Sequence, residues 1–223
     1  MKEIWLVRHA ESAANAGAVT SSPETIPLTE KGLQQARRVA AWCDKQPDII
    51  AVSRYVRTQQ TATPLQELYP TTISKQWEVQ EFTYLAPERC RNTTFAERKP
   101  LVAAYWSRND PDYCDGVGAE SFAEFIQRAG RTIDQIKSHN SSFIVVITHG
   151  QFIKAMMWLW WHKVEHNERE SMSAFRAFMQ GIGVPNAAIV KIRLMPNEDE
   201  LYFSGVSTSH LPSNLITPNK LFE

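Results

Sequence analysis

Three short aliphatic runs, Ile4 to Val7, Asp48 to Val52 (DIIAV) and Phe143 to Thr148 (FIVVIT), each break off abruptly into polar sequence. A strand with one wet face alternates apolar and polar residues, whereas a continuous β-branched run means that both faces are covered. The stretches between the runs carry helical spacing. Thr29 precedes EKGLQQARRVAAWC as an N-cap, with Leu28 and Leu33 at staple positions and Leu33, Ala36, Ala40 and Cys43 on one face. In ESFAEFIQRAGRTIDQIKSH the residues Phe122, Phe125, Ile126, Ala129, Ile133 and Ile136 recur with the same period. Strand and helix in alternation predict an α/β fold: a three-layer α/β/α sandwich with a mostly parallel central sheet and right-handed crossovers. Two regions interrupt the rhythm. Residues 86–118, rich in Arg, Asn, Asp and Pro, read as an insertion of loops and short helices. Residues 164–186 read as a polar-faced helix and a turn before two last strands, Ala187 to Leu194 and Leu201 to Phe203. The length of 223 residues suits one domain spanning the whole chain.

Charge excludes some functions at once. With 24 Lys and Arg against 24 Asp and Glu, the chain has no global field to gather nucleic acid or anionic lipid, so anion binding must come from a local cluster. The apolar run at the N-terminus meets Arg8 too soon to be a signal peptide. The most apolar stretch, Ala155 to Trp161, is far shorter than the roughly 20 residues that cross a bilayer; Lys154, His162 and Lys163 border it, and it reads as a buried helix face. Cys43, Cys90 and Cys114 are odd in number and have no metal-like spacing, which fits a reducing cytoplasm.

In open α/β sheets ligands bind beyond the carboxyl ends of the strands. Arg8-His9 follows the first run, Ser53 to Arg57 the second, and His149-Gly150 the run FIVVIT. If these strands are neighbours, two imidazoles and two guanidiniums converge on one small volume. Arg forks match phosphate oxygens, and Arg57 stands where the helix YVRTQQTA begins, with its free N–H groups. A histidine beside two permanent cations is pushed towards its neutral, nucleophilic form. His9 is the candidate nucleophile; His149, on another strand, would face it across the phosphate and donate to the equatorial oxygens.

Taken together, LVRHAESAAN (Leu6 to Asn15), SRYVRTQQTA (Ser53 to Ala62) and ITHGQFIKA (Ile147 to Ala155) resemble, in order, three motifs of the histidine phosphatase, or phosphoglycerate mutase-like, superfamily. The resemblance implies a phosphoglycerate mutase-like fold and a cofactor-free, metal-independent phosphatase that hydrolyses a phosphate monoester through a phosphohistidine on His9. It gives Arg8, Arg57 and His149 the phosphoryl oxygens and matches Asn15 to a family Asn that contacts phosphate. Glu11 would be either a supporting residue near the entrance or a hydrogen-bond anchor for its loop. The carboxylate that protonates the leaving oxygen and then activates water would come from WEVQEFTYL (Trp77 to Leu85), where the family pattern favours Glu81 over Glu78. Ala10 replaces the usual Gly after the first His. Arg54-Tyr55 replaces the commoner Pro-Leu pair, and Arg54 is either solvated or a third contact to substrate. Cations in residues 86–118 suit a small phosphorylated substrate, inorganic phosphate or sulfate is expected to occupy the pocket, and the balanced charge implies no nucleic-acid or membrane partner.

Rival readings are a phosphomutase, a non-catalytic phosphate-binding module and a zinc hydrolase. The places where glycolytic mutases carry a longer shared stretch and an Arg-His-Tyr read AANAGAVTSSPETIPL and Phe82-Thr83-Tyr84 here. The string HKVEH (His162 to His166) has the form H-x-x-E-H of inverted zinc proteases but lies at the polar end of a Trp-rich helix, where solvated histidines are expected. Substrate choice would rest with the 86–118 insertion, read as a partly cationic lid with Arg89, Arg91, Arg98, Lys99, Tyr105, Trp106 and Arg108 as candidates.

Overall fold

The computed structural model describes residues 1–162, 169–195 and 201–217. Its strands are β1 (Lys2–Arg8), β2 (Ile49–Val52), β3 (Ile73–Gln76), β4 (Phe143–Thr148), β5 (Ile189–Leu194) and β6 (Leu201–Ser207). They form one sheet in the order β3-β2-β4-β1-β5-β6. β3, β2, β4 and β1 are mutually parallel, and β5 runs antiparallel between β1 and β6. The three aliphatic runs are therefore adjacent, with Arg8 opposite Thr148 and Val52 opposite Ile147. Their carboxyl ends leave the sheet along one edge.

The helices are α1 (Glu30–Trp42), α2 (Val56–Leu68), α3 (Pro87–Cys90), α4 (Phe95–Arg108), α5 (Phe122–Ser138), α6 (Gly150–Trp161) and α7 (Arg169–Gly181). Ile4, Leu6, Ile144 and Val146 pack to one side of the sheet with α5, α6 and α7; Trp5, Val7, Val145 and Ile147 pack to the other with α1 and α2. Those two covered faces are why the strands carry no alternation. The predicted stripe on α5 is buried throughout, from Phe122 to Ile136, and Ser121 and Glu124 close a capping box at its start. Each such apolar side chain contributes about 1.5–3 kcal/mol on burial.

Thr29 caps α1 by accepting the Gly32 N–H at 3.0 Å. A Cβ on Gly32 would lie 2.1 Å from the Glu11 carbonyl oxygen, so only glycine lets the loop after β1 rest on this helix. The buried face of α1 is turned slightly from the expected one, taking in Gln35 and Val39 and leaving Leu33 half-buried.

The structure adds two features to the sequence reading and corrects one. Lys154, read as a border of the apolar stretch, is buried, and its ammonium donates to the Met179 carbonyl on α7 at 2.8 Å. β3 has no counterpart in the sequence reading, because ISKQ is exposed at every position and is held by pairing with β2. β5 starts at Ile189, after Ala187 takes a left-handed φ of 59° and turns its N–H to the Arg8 carbonyl at 3.1 Å. Among the described residues no helix is long and apolar enough to cross a membrane.

The insertion contains α3 and α4. α4 begins with a Thr94–Glu97 capping box and ends at Asn109 in the left-handed region. Tyr105 and Trp106 are buried and anchor it against Phe82 and Tyr84, with the Tyr84 and Tyr105 rings 4.9 Å apart. A Thr20–Thr93 bridge ties it to the loop between β1 and α1.

Candidate active site

β1 and β4 deliver His9 and His149 side by side, because the His9 N–H continues the ladder to the Thr148 carbonyl at 2.8 Å. The two rings stand 5.0 Å apart, centre to centre, and both are buried. Arg57, from the first turn of α2, spans them: Nε donates to His9 Nε2 and Nη2 to His149 Nδ1, each at 3.2 Å, and Nη1 donates to the Pro23 carbonyl. His9 Nδ1 lies 2.7 Å from the Ala10 carbonyl, which can only accept, so the ring proton is fixed there and the Nε2 lone pair faces Arg57. His149 is set the other way, with Nε2 bonded at 2.9 Å to Ser53 Oγ.

Electrostatics keep both rings neutral. Burial first, then the charges of Arg57 and Arg8, push His9 well below its ordinary range. Burial, Arg57, His9 and Arg8 do the same to His149. Arg57 itself is lowered to about 10 by burial, yet at neutral pH it stays charged. Two guanidiniums and two imidazoles in a buried volume form a site that a phosphoryl dianion would neutralise.

Each polar letter of RTxQTA has a mechanical use. Thr58 bonds the Ser53 and Tyr55 carbonyls, Gln60 accepts the Leu28 N–H at 2.8 Å, and Thr61 accepts the Ala10 N–H at 3.0 Å. One helix thus fixes the β2 end, the entrance loop and the residue after His9. Arg8 donates from Nη1 to the Val184 carbonyl at 2.6 Å, while its buried Nε has no partner among the described residues. A Cβ on Gly150 would come within 3.4 Å of that Nε.

Asn15 uses its amide oxygen to accept from Ser12 and from Asn186 Nδ2 at 3.0 Å, which leaves its NH₂ as the half able to donate. Asn186 also donates to the His9 carbonyl at 3.1 Å. Sequence reasoning missed Asn186; the Pro185-Asn186 turn was its visible signal.

Glu81 lines a cavity of about 190 Å³ together with Arg57, Tyr55, Thr20, Gln151 and Arg98. Its carboxylate accepts the Phe82 and Gln151 N–H groups at 3.0 and 3.3 Å. Glu78, the alternative, is 77% exposed and stands 3.9 Å from Arg131. The segment bearing Glu81 is held from beneath by Arg128, also missed, which donates to the Glu78 and Gln80 carbonyls at 2.9 Å and forks onto Glu120. Glu120 in turn accepts the Thr83 N–H, and Thr148 Oγ1 bonds the Val79 carbonyl.

The other candidates stand elsewhere. Glu11 accepts from Thr29 and Thr217 hydroxyls at 2.9 Å, the arrangement of a loop anchor. Arg54 pairs with Glu24 at 3.1 Å and is half exposed. Arg89 pairs with Asp115 and Arg91 with the exposed Glu88, so neither lines the cavity; among the expected lid cations Arg98 does. His162 stacks on Trp158 at 3.8 Å, and the remainder of HKVEH lies outside the described residues.

A family model of the histidine phosphatase superfamily (branch 1) matches residues 4–201. The chain belongs to that superfamily. A metal-independent phosphoserine phosphatase from Arabidopsis thaliana is 28% identical over 158 residues, 69% of this chain and 66% of that protein. An adenosylcobalamin/α-ribazole phosphatase from Salmonella typhi is 25% identical over 155 residues, 69% of this chain and 76% of its own length. The fold is shared with a phosphoserine phosphatase mutant from Entamoeba histolytica in complex with phosphoserine, at a TM-score of 0.70 and 22% identity over 95% of this chain and 100% of that one. The chain is a phosphoric monoester hydrolase of the histidine-phosphatase type, and the mutase reading is not favoured.

Proposed function

We propose that this chain hydrolyses a small phosphate monoester in the cytoplasm, without a metal, through a phosphohistidine on His9. The observation that carries the reading is the Arg57 fork across two neutral imidazoles, with the His9 proton fixed on the Ala10 carbonyl. An incoming phosphoryl group takes over the Arg57 N–H groups and so frees the His9 Nε2 lone pair. Nε2 then bonds to phosphorus as the ester P–O bond breaks, and a proton from Glu81 passes to the departing oxygen. In the second half the Glu81 carboxylate takes a proton from water, the water oxygen bonds to phosphorus, the P–N bond breaks, and phosphate leaves.

Arg8, Arg57 and the Asn15 NH₂ hold the non-bridging oxygens as charge moves onto them. His149 reaches the phosphoryl group through Nδ1, since Ser53 holds Nε2. Ser53 Oγ can donate or accept, so the His149 proton can move to Nδ1 when the anion arrives without leaving Nε2 unpaired.

The test is hydrolysis of p-nitrophenyl phosphate in EDTA, with labelled phosphate trapped on the protein. Wild type should turn over and carry an acid-labile, base-stable label; His9→Ala should lose both, with turnover down ~10⁴-fold or more. Turnover that needs added metal, or an His9→Ala protein that still takes label, would overturn the assignment.

A further inference from the structure

The phosphate end leaves the rest of the cavity unexplained. Beyond Arg57 and Glu81 its wall is largely apolar, from Pro23, Ile26, Phe82, Leu85, Pro87 and Val102. Two polar groups in that wall lack the partner their chemistry calls for. Arg98, on α4, anchors Nε on the Thr94 carbonyl at 3.1 Å, and among the described residues no carboxylate lies within ion-pair distance of its guanidinium. Gln151, on the first turn of α6, has a buried amide oxygen with no hydrogen-bond partner. A buried acceptor left unpaired is costly, and one in a cavity wall is where a ligand's donor would complete it.

Tyr84 ties the two together. It lines the same cavity wall, and its phenol is kept protonated chiefly by burial and then by the Glu81 charge, with Gln151 and Arg98 acting the other way. Arg98, Gln151 and Glu81 line, with Tyr84, the cavity that Arg57 joins to His9, and the Gln151 N–H bonds the Glu81 carboxylate at 3.3 Å, so an alcohol leaving His9-bound phosphorus would sit among them. The corner offers a cation and, next to it, an acceptor near a carboxylate.

We propose that Arg98 and the Gln151 amide oxygen form a leaving-group subsite for a small phosphorylated hydroxy acid, Arg98 taking its carboxylate and Gln151 an adjacent ammonium or hydroxyl donor. The proposal rests on the phosphatase reading above. The apolar wall covers the alcohol's carbon chain. Neither Arg89 nor Arg91 takes part.

The experiment compares kcat/KM for O-phosphoserine with two trimmed analogues: phosphoethanolamine, which lacks the carboxylate, and 3-phosphooxypropionate, which lacks the amine. Ratios within one protein cancel any general loss of folding or turnover. Wild type should prefer the complete substrate over both, and 3-phosphoglycerate in place of phosphoserine reports whether a hydroxyl serves as well as an ammonium. In Arg98→Met the preference over phosphoethanolamine should shrink roughly 10- to 100-fold, the range of a charge-assisted pair, and Arg98→Lys should regain part of it. In Gln151→Leu the preference over 3-phosphooxypropionate should shrink about 3- to 10-fold, with the carboxylate preference kept. Ratios unchanged by either substitution, in proteins that still hydrolyse p-nitrophenyl phosphate, would overturn the subsite and leave the phosphatase standing. A wild type that hydrolyses p-nitrophenyl phosphate but none of these esters would likewise overturn the subsite, and one that hydrolyses no phosphate ester at all would overturn the phosphatase reading itself.

Discussion

The strand ends and the insertion are both rich in Arg, yet they spend that charge differently. At the strand ends Arg57 touches three separate segments and two catalytic candidates, and Arg8 reaches a carbonyl 176 residues away. In the insertion Arg89 and Arg91 pair with carboxylates of the same region, and Arg108 lies over the Tyr113 ring at 3.8 Å. Buried cations with many partners define a site; exposed cations with one partner define a surface. The same residue type therefore signals chemistry in one region and little in the other, and Arg98 is where the two regions meet.

Four perturbations sharpen this contrast, beginning with the largest. Glu81→Gln should slow hydrolysis of an alkyl phosphate by ~10²- to 10⁴-fold, and much less for p-nitrophenyl phosphate, whose leaving group needs little help. Phosphate binding by calorimetry should persist; equal losses on both esters would remove Glu81 from the role of acid. Arg128→Met strands the nearly buried Glu120 and frees the Glu81 segment. It should cost about 3–5 kcal/mol in denaturant unfolding and lower kcat with little change in KM, and adding Glu120→Gln should recover part of the stability. A fall in stability with kcat intact would make the clamp purely structural.

Acid gives the third effect. Both site histidines are held neutral, so the unfolded chain takes up protons below about pH 6.5 that the folded chain refuses. Stability should be level above that pH and then fall by about 1.4 kcal/mol per ring for each unit below it. Inorganic phosphate should blunt the loss by pairing with the protonated rings. Melting temperatures from pH 8 to 5 check the sign, and a rise on acidification would contradict it. Arg89→Ala, in the insertion, should cost under ~1 kcal/mol in the same melts, since its pair is half exposed and Asp115 keeps the Ala86 N–H and Tyr113 hydroxyl.

What the sequence made legible follows the same division. Residues whose partners are near in the chain, or whose run is uninterrupted, could be read: the three strands, the Thr29 cap, the α5 stripe. His9, Arg57 and His149 could be placed because each directly follows, or opens the helix after, a recognisable strand. Gln35 could not, because it looks like an ordinary surface glutamine in a helix; only in the fold does it hold the Glu11 N–H with one end and the Leu215 carbonyl with the other. Arg128 and Lys154 were hidden for the same reason, their partners lying 25 or more residues away from Lys154 and up to 50 from Arg128. β3 left no trace because an exposed edge strand has no apolar pattern to show. In the insertion, choosing Arg98 over Arg89 depended on which face of a short helix meets the cavity, and the spacing of charges does not encode that.

The turn that leads into β5 has a consequence for how the protein is made. Val184 holds Arg8, Asn186 links His9 to Asn15, and the Ala188 carbonyl receives the Arg8 N–H. A nascent chain emerging from the ribosome already carries both histidines once residue 149 is out, but it cannot lock the first strand's end until some forty residues later. Competence for the reaction is thus withheld until the segment leading into β5 has emerged.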